Sequence, residues 1–134
     1  MGDLGTVGDY RLAISRVLSA GVSRRQSELL RAHLCAPRRS ASAAELAKAV
    51  GYGSWGTVNR QYGHLAHRIG AELGLFEPPR GYWAHVLIQW EPDTVRSPVG
   101  HNRYVLRPEV ARALIALGFG GVPPNPSLQR TNPG

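Results

Sequence analysis

The sequence has few cysteines, few lysines and no long apolar run, and each absence excludes a class of protein. Cys35 is the only cysteine among 134 residues, which excludes a disulfide framework and a cysteine-based metal site. A reducing cytoplasm suits such a chain. No apolar run approaches the length of a membrane span, and the first twenty residues lack the basic start and apolar core of a signal peptide. These absences predict a cytoplasmic protein with no membrane partner.

Acidic residues are also scarce, which leaves the chain strongly basic. Sixteen Lys and Arg stand against nine Asp and Glu, a formal net charge of +7, and Lys48 is the only lysine. Arginine suits phosphates and guanine edges, although the codon usage of a GC-rich genome also favours arginine. Eight basic and only two acidic residues lie between positions 23 and 68. A positive field concentrated in this way predicts a polyanionic partner.

The residues that enzyme chemistry needs are missing as well. The five histidines show no pairing with carboxylates at the spacing of metal ligands. His64 and His67 are three residues apart, but no third ligand lies near them in the sequence. The chain contains no glycine-rich phosphate loop and no nucleophile beside a suitable base. We therefore predict no enzyme activity, no catalytic residue, no metal and no cofactor.

The length of the chain predicts a single domain. Apolar periodicity is lost after residue 118, where glycine, proline and asparagine dominate. We expect a flexible N-terminus over residues 1–8, one folded domain over residues 9–118, and a disordered Gly/Pro-rich tail over residues 119–134.

Two helices are predicted before the most informative part of the sequence. The first covers residues 9–20, with Asp9 as its N-cap. The second begins after Ser23, which is placed to form a capping box with Gln26. Pro37 forbids its continuation, because proline lacks the backbone N–H that a helix interior needs.

A helix-turn-helix is predicted over residues 41–69. Ser42 and Glu45 are spaced as a capping box at the start of the third helix, and Gly51 ends that helix. The fourth helix covers residues 54–69. Its apolar stripe at helical spacing consists of Val58, Tyr62, Leu65 and Ile69. A short helix, a glycine turn and a longer helix form the motif whose second helix enters the DNA major groove, although generic helical packing gives a similar pattern.

A β-hairpin and a last helix are predicted to follow. Residues 82–90 are rich in aromatic and β-branched side chains, which favours a strand. Residues 91–101 then form a long hairpin tip and residues 102–106 the returning strand. Pro108 suits the first position of the closing helix. The order α-α-α-α-β-β-α predicts a mainly α protein with a small β-hairpin, an α+β fold.

The helix-turn-helix resembles that of bacterial regulators in Glu45-Leu46-Ala47, in Gly51 at the turn, and in Thr57-Val58 of the second helix. Val58 lies seven residues after Gly51 rather than the common six, so the turn is longer than in those families. With the hairpin that follows, the resemblance implies a winged helix-turn-helix domain that binds double-stranded DNA.

A second resemblance covers roughly residues 30–75. The stretch Asn59-Arg60-Gln61-Tyr62-Gly63, following Val50-Gly51-Tyr52, looks like small bacterial modules that occur alone or fused to HNH-type restriction nucleases. This resemblance implies a module that targets DNA, including modified or foreign DNA.

The outer face of the fourth helix supplies the candidate DNA contacts. Arg60 suits a guanine edge and Asn59 an adenine edge. His64, Thr57 and His67 are further base-contact candidates. The candidates for contacts to the DNA backbone, which position the protein without reading sequence, are Arg24, Arg38, Arg39, Lys48, Arg68 and Arg96.

Tyr52 and Trp55 flank the start of that helix, where they either cap the core or stack on an unpaired or modified base.

Three functions therefore stay open. The first is duplex DNA binding, as a transcriptional regulator or a targeting module. The second is a protein-interaction adaptor on the same scaffold, with a merely solvated arginine-rich face. The third is RNA binding, if Tyr52 and Trp55 form an exposed stacking pair. The first helix could also serve a homodimer.

Overall fold

A computed structural model describes residues 4–90 and 103–119. In chain order, its helices and strands are α1 (Val7–Ala20), α2 (Arg24–Cys35), β1 (Ser40–Ser42), α3 (Ala43–Val50), α4 (Trp55–Glu72), β2 (Ile88–Trp90), β3 (Arg103–Leu106) and α5 (Pro108–Ala116). Short 3₁₀ turns occupy Pro37–Arg39, Pro79–Gly81 and Trp83–Val86. The chain is therefore mainly helical with a small antiparallel sheet, which confirms the predicted α+β class. None of the described helices combines the length and apolarity needed to cross a membrane.

Three capping boxes determine where helices begin. Those at Ser23 and Ser42 lie where the sequence predicts them. The prediction for α1 is wrong, because Thr6 rather than Asp9 is its N-cap. Thr6 Oγ1 accepts from the Asp9 backbone N–H at 3.1 Å, and Asp9 Oδ2 accepts from the Thr6 N–H at 2.9 Å. The helix thus begins at Val7, and Leu4 before it packs against the core.

The sheet has three strands, of which β1 was not predicted from the sequence. β3 is the central strand, and both β1 and β2 pair with it antiparallel. β1 is only three residues long, so it offers no alternation of apolar and polar residues to recognise. The predicted strand over residues 82–90 is wrong in its first half, which forms the Trp83–Val86 turn against α4. The predicted hairpin tip lies outside the described residues.

α4 lies at the centre of the core, with α1, α3 and the Trp83–Val86 turn packed around it. The predicted apolar stripe of α4 is confirmed, since each of its members is at most 1% exposed: Val58, Tyr62, Leu65 and Ile69. α1 also packs against α5. Phe119, which the sequence analysis assigned to the tail, is buried, and the Arg31 guanidinium lies over its ring.

One histidine joins α2, α4 and the sheet inside this core. His33 is fully buried, and its Nε2 lies 3.0 Å from the Tyr104 carbonyl oxygen, while its Nδ1 lies 2.5 Å from the Tyr62 hydroxyl. Because a carbonyl only accepts, Nε2 carries the proton and Nδ1 accepts from Tyr62. Burial lowers the pKa of His33 to about 4, so the ring is neutral at pH 7.

Two glycines of α4 should respond in opposite ways to the same substitution. A Cβ at Gly63 meets nothing within 4 Å, so Gly63→Ala should raise the free energy of unfolding by about 0.5–1 kcal/mol through helix propensity. A Cβ at Gly70 would lie 2.8 Å from Trp83 Cζ3. The energetic cost of displacing Trp83 should outweigh the same gain in helix propensity, so Gly70→Ala should lower the free energy of unfolding by about 1–2 kcal/mol. Urea unfolding of both variants measures the difference, and equal shifts would contradict the packing of Trp83 on Gly70.

Candidate nucleic-acid interface

The turn between α3 and α4 is fixed from α2. Gly51 ends α3 at a φ of 90°, a left-handed conformation that favours glycine. Arg25 donates from Nη1 to the Gly51 carbonyl at 2.8 Å, and its guanidinium lies 5.5 Å from the centre of the Tyr52 ring. Gln26 also donates to Gln61 of α4 at 2.8 Å. The relative position of α3 and α4 is therefore held by side chains of α2.

The five predicted base-contact residues separate into two groups on α4. Arg60 is exposed, and it forms no ion pair within the described part of the chain. Thr57 is half-buried, with its Oγ1 3.3 Å from Ser54 Oγ. The remaining three, Asn59, His64 and His67, line one cleft.

This cleft, hereafter the aromatic cleft, lies between α4 and the residues around β2, and its volume is about 530 Å³. Its far wall includes Tyr82, Trp83 and Tyr104. The His67 and Trp83 rings stack with centroids 4.3 Å apart and planes 22° apart. The cleft thus brings α4, the Trp83–Val86 turn and the sheet together around one space.

Asn59 is not available for the adenine contact that the sequence suggests. Its Oδ1 accepts a hydrogen bond from the Tyr104 hydroxyl. Bidentate recognition of adenine needs both the amide oxygen and the amide nitrogen. Only the N–H groups of Nδ2 remain to donate to a ligand, since no other side-chain hydrogen bond to Asn59 occurs within residues 4–90 and 103–119. Asn59 is therefore positioned as a donor at the aromatic cleft.

The predicted backbone contacts differ in their availability. Lys48 is exposed in the last turn of α3. Arg24 is exposed but lies 3.2 Å from Glu28. Arg68 is half-buried and donates to the Val17 carbonyl of α1 at 3.3 Å, so part of its guanidinium holds two helices together. Arg96 lies outside the described residues.

Arg38 and Arg39 lie in an unusual backbone conformation. Their φ angles are 54° and 55°, in the left-handed region, which costs a residue with a Cβ about 1–2 kcal/mol. Arg38 is exposed, and Arg39 is half-buried. Arg80 has the same conformation at φ 53° in the turn before Trp83. Strain of this kind often marks functional segments.

Tyr52 and Trp55 do not form a stacking pair. Tyr52 is half-buried beneath Arg25, Trp55 is 38% exposed, and no ring–ring contact joins the two within the described residues. The condition under which the sequence would favour RNA binding is therefore not met.

The two acidic residues of the basic segment are both paired with arginine. Glu28 lies 3.2 Å from Arg24, and Glu45 lies 3.2 Å from Arg103 of β3. Arg103 also donates to the Ser40 hydroxyl at 3.1 Å and to the Ser40 carbonyl at 3.0 Å. Arg103 thereby joins β1, β3 and the start of α3.

The far wall of the aromatic cleft was not predicted from the sequence. Tyr82 and Trp83 were assigned to a strand, and Tyr104 received no role. The density of aromatic residues after the turn at residues 79–81 was the available signal.

Within the described ranges, no three His, Cys, Asp or Glu residues are grouped to hold a metal ion. No protein-family model, curated protein or solved structure matches the chain.

Proposed function

We propose that the chain is a winged-helix protein that binds duplex DNA and catalyses no reaction on it. α4 is the recognition helix in the major groove. The sheet supports this proposal, because the α3–α4 pair lies between β1 and β2 in the chain and both strands pair with β3. A winged helix combines a helix-turn-helix with a small antiparallel sheet in this way.

The observation that carries the proposal is the charge balance around α3 and α4. The only acidic residue of α4 is Glu72, its last, which lies 3.6 Å from Arg16 of α1. The acidic residues at positions 28 and 45 are already paired. Three exposed cations, in the Pro37–Arg39 turn, α3 and α4, have no ion pair in the described ranges, namely Arg38, Lys48 and Arg60. Such unneutralised cations suit a row of phosphates.

The roles of these cations should differ. Arg60, on the exposed side of α4, contacts a guanine edge in the groove, where an arginine can bind O6 and N7 together. Arg38 and Lys48 contact phosphates, which positions the protein without reading sequence. The complex would serve transcription regulation or the targeting of modified or foreign DNA.

Fluorescence anisotropy with mixed-sequence duplex DNA, single-stranded DNA and RNA, each at two salt concentrations, tests the proposal. We expect duplex DNA to bind most tightly. Its affinity should fall with salt at a slope of about 0.9 per phosphate contact. Equal binding of all three polyanions would point to a generic basic surface. No binding at low salt would contradict the proposal and favour a protein partner.

Substitution of single arginines separates the two roles. Arg60→Ala should cost about 1–3 kcal/mol on the preferred sequence and little on others. Arg38→Ala should weaken binding to all sequences alike and reduce the salt slope by about one. Arg112→Ala removes an exposed arginine of α5 and is the matched control. Identical losses for Arg60→Ala and Arg38→Ala on every sequence would contradict the groove assignment.

The backbone of Arg38 offers a second test of the same contact. Glycine accepts a φ of 54° without strain. Arg38→Gly should therefore retain or slightly raise stability in urea unfolding, by up to about 1 kcal/mol, while weakening DNA binding as Arg38→Ala does. A loss of stability in Arg38→Gly would show that the arginine side chain serves the fold rather than the DNA.

A further inference from the structure

The aromatic cleft has the size of a small-ligand site. Its volume of about 530 Å³ lies within the usual range of about 300–1,000 Å³. None of the described residues that line it is a lysine, arginine, aspartate or glutamate, although the protein as a whole carries +7. A phosphate bound to the surrounding surface would therefore meet no strong charge on these described lining residues. Its lining selects for a neutral occupant.

The walls of the cleft favour a flat aromatic ring. Trp83 is held in place by its stack on His67 and by its close approach to Gly70. Tyr82 lines the cleft while 67% exposed, which leaves most of an aromatic ring in contact with water. A planar ligand would cover this surface and stack against it. Stacking on aromatic side chains tolerates any base, because every base has a π face.

The edge of the cleft supplies hydrogen bonds. The Tyr104 hydroxyl holds Asn59 Oδ1, which leaves the two N–H groups of Nδ2 as donors. His64, which lies five residues after Asn59 in α4, also lines the cleft and is exposed. A flat ring with acceptor atoms on its rim matches this combination of stacking surface and donors. Nucleobases have these properties.

We infer that the aromatic cleft binds a single nucleobase, with the ring stacked beside Tyr82 and Trp83 and its edge bonded to Asn59. The base belongs either to a free nucleoside or to an unpaired position in DNA, and the second source rests on the proposed duplex binding. Asn59, His64 and His67 lie on the helix proposed to enter the groove. A base that leaves the stack next to α4 would therefore reach the cleft.

A duplex with one unpaired 2-aminopurine, compared with the fully paired duplex, tests the inference. We expect about tenfold or tighter binding of the unpaired duplex, which is the scale of one base stacked on an aromatic residue. The fluorescence of 2-aminopurine should change on binding, because the probe leaves the helix for the cleft. Titrations with adenosine and deoxycytidine test separately whether the cleft binds a free nucleoside.

Gly63 provides a variant that fills the cleft without weakening the fold. Gly63 lines the cleft, and a side chain there begins in open space. Gly63→Leu occupies that space and favours the helix over glycine. Tyr82→Ala removes the exposed ring, and Phe76→Ala removes an aromatic residue that is 96% exposed and does not line the cleft. Gly63→Leu and Tyr82→Ala should lose the preference for the unpaired duplex, and the Phe76→Ala control should keep it.

The outcomes separate this inference from the proposed function. Equal affinity for both duplexes, together with no binding of nucleosides, overturns the nucleobase site and leaves salt-dependent duplex binding standing. Nucleoside binding that Gly63→Leu abolishes, without any DNA binding, supports the cleft and overturns the proposed function. A preference for the unpaired duplex that survives both Gly63→Leu and Tyr82→Ala also overturns the inference, because the base would then bind elsewhere.

Discussion

Truncation of Tyr10 to alanine is expected to lower the free energy of unfolding by about 3–5 kcal/mol, the scale of removing a large buried aromatic ring. Tyr10 of α1 is fully buried, and its hydroxyl donates to the Val86 carbonyl at 2.7 Å. Urea denaturation followed by circular dichroism measures the loss. Leu12→Ala on the same helix is the matched control, because Leu12 is 54% exposed and should change stability by no more than about 0.5 kcal/mol.

The companion variant Tyr10→Phe keeps the ring and removes the hydroxyl. It should cost about 1 kcal/mol for the buried hydrogen bond. Because Val86 belongs to the turn that contains Trp83, this variant should also loosen the wall of the aromatic cleft. A loss below about 1 kcal/mol for Tyr10→Ala would contradict the packing of α1 into the domain. It would then favour a detachable α1 that is available for a homodimer.

Acidification from pH 7 towards pH 4 is expected to remove about 3 kcal/mol of stability through His33. Burial lowers the pKa of His33 from its ordinary value of 6.5 to about 4. Between these two values the unfolded chain binds a proton that the folded chain does not. The contribution is therefore fully present above pH 6.5 and is lost as the pH falls, at about 1.4 kcal/mol per pH unit.

The slope of stability against pH between 7 and 5 provides the measurement, since most carboxylates stay ionised there. His33→Gln should be less stable at pH 7 but should show a shallower slope. The pKa of His85 is also lowered, by burial and by the nearby Arg80 and Arg107. His85→Gln therefore measures how much of the slope of stability against pH comes from His85. Equal slopes for the wild type and His33→Gln would rule out His33 as the cause.

The helices were the most predictable part of the fold, because their signals are local. Ser23 with Gln26, and Ser42 with Glu45, are capping pairs only three residues apart, and each marks a helix start in the structure. The same logic named Asp9 as the N-cap of α1, whereas Thr6 has that role in the structure; either residue type can cap a helix. Only the reciprocal bonds between the two decide which one does.

β1 and the aromatic cleft could not be predicted, because distant residues form both. β1 depends on Arg103 and its bonds to Ser40, 63 residues away. Trp83 has a preference for strands, yet its packing against Gly70 and His67 places it in a 3₁₀ turn. Asn59 was predicted to contact adenine, and only the hydroxyl of Tyr104 reveals that its amide oxygen is occupied.

The central position of β3 affects the order in which the chain can fold. β1 emerges early in synthesis, but its only described partner strand is β3, which follows α4 and β2. Contacts across such separations are slow to form, because the loop between them must close first. Until Arg103–Leu106 leaves the ribosome, Ser40–Ser42 and Ile88–Trp90 have no strand to pair with. Helices α1 to α4 can collapse earlier, whereas the sheet, and with it the Tyr104 wall of the aromatic cleft, can form only after β3 has been synthesised.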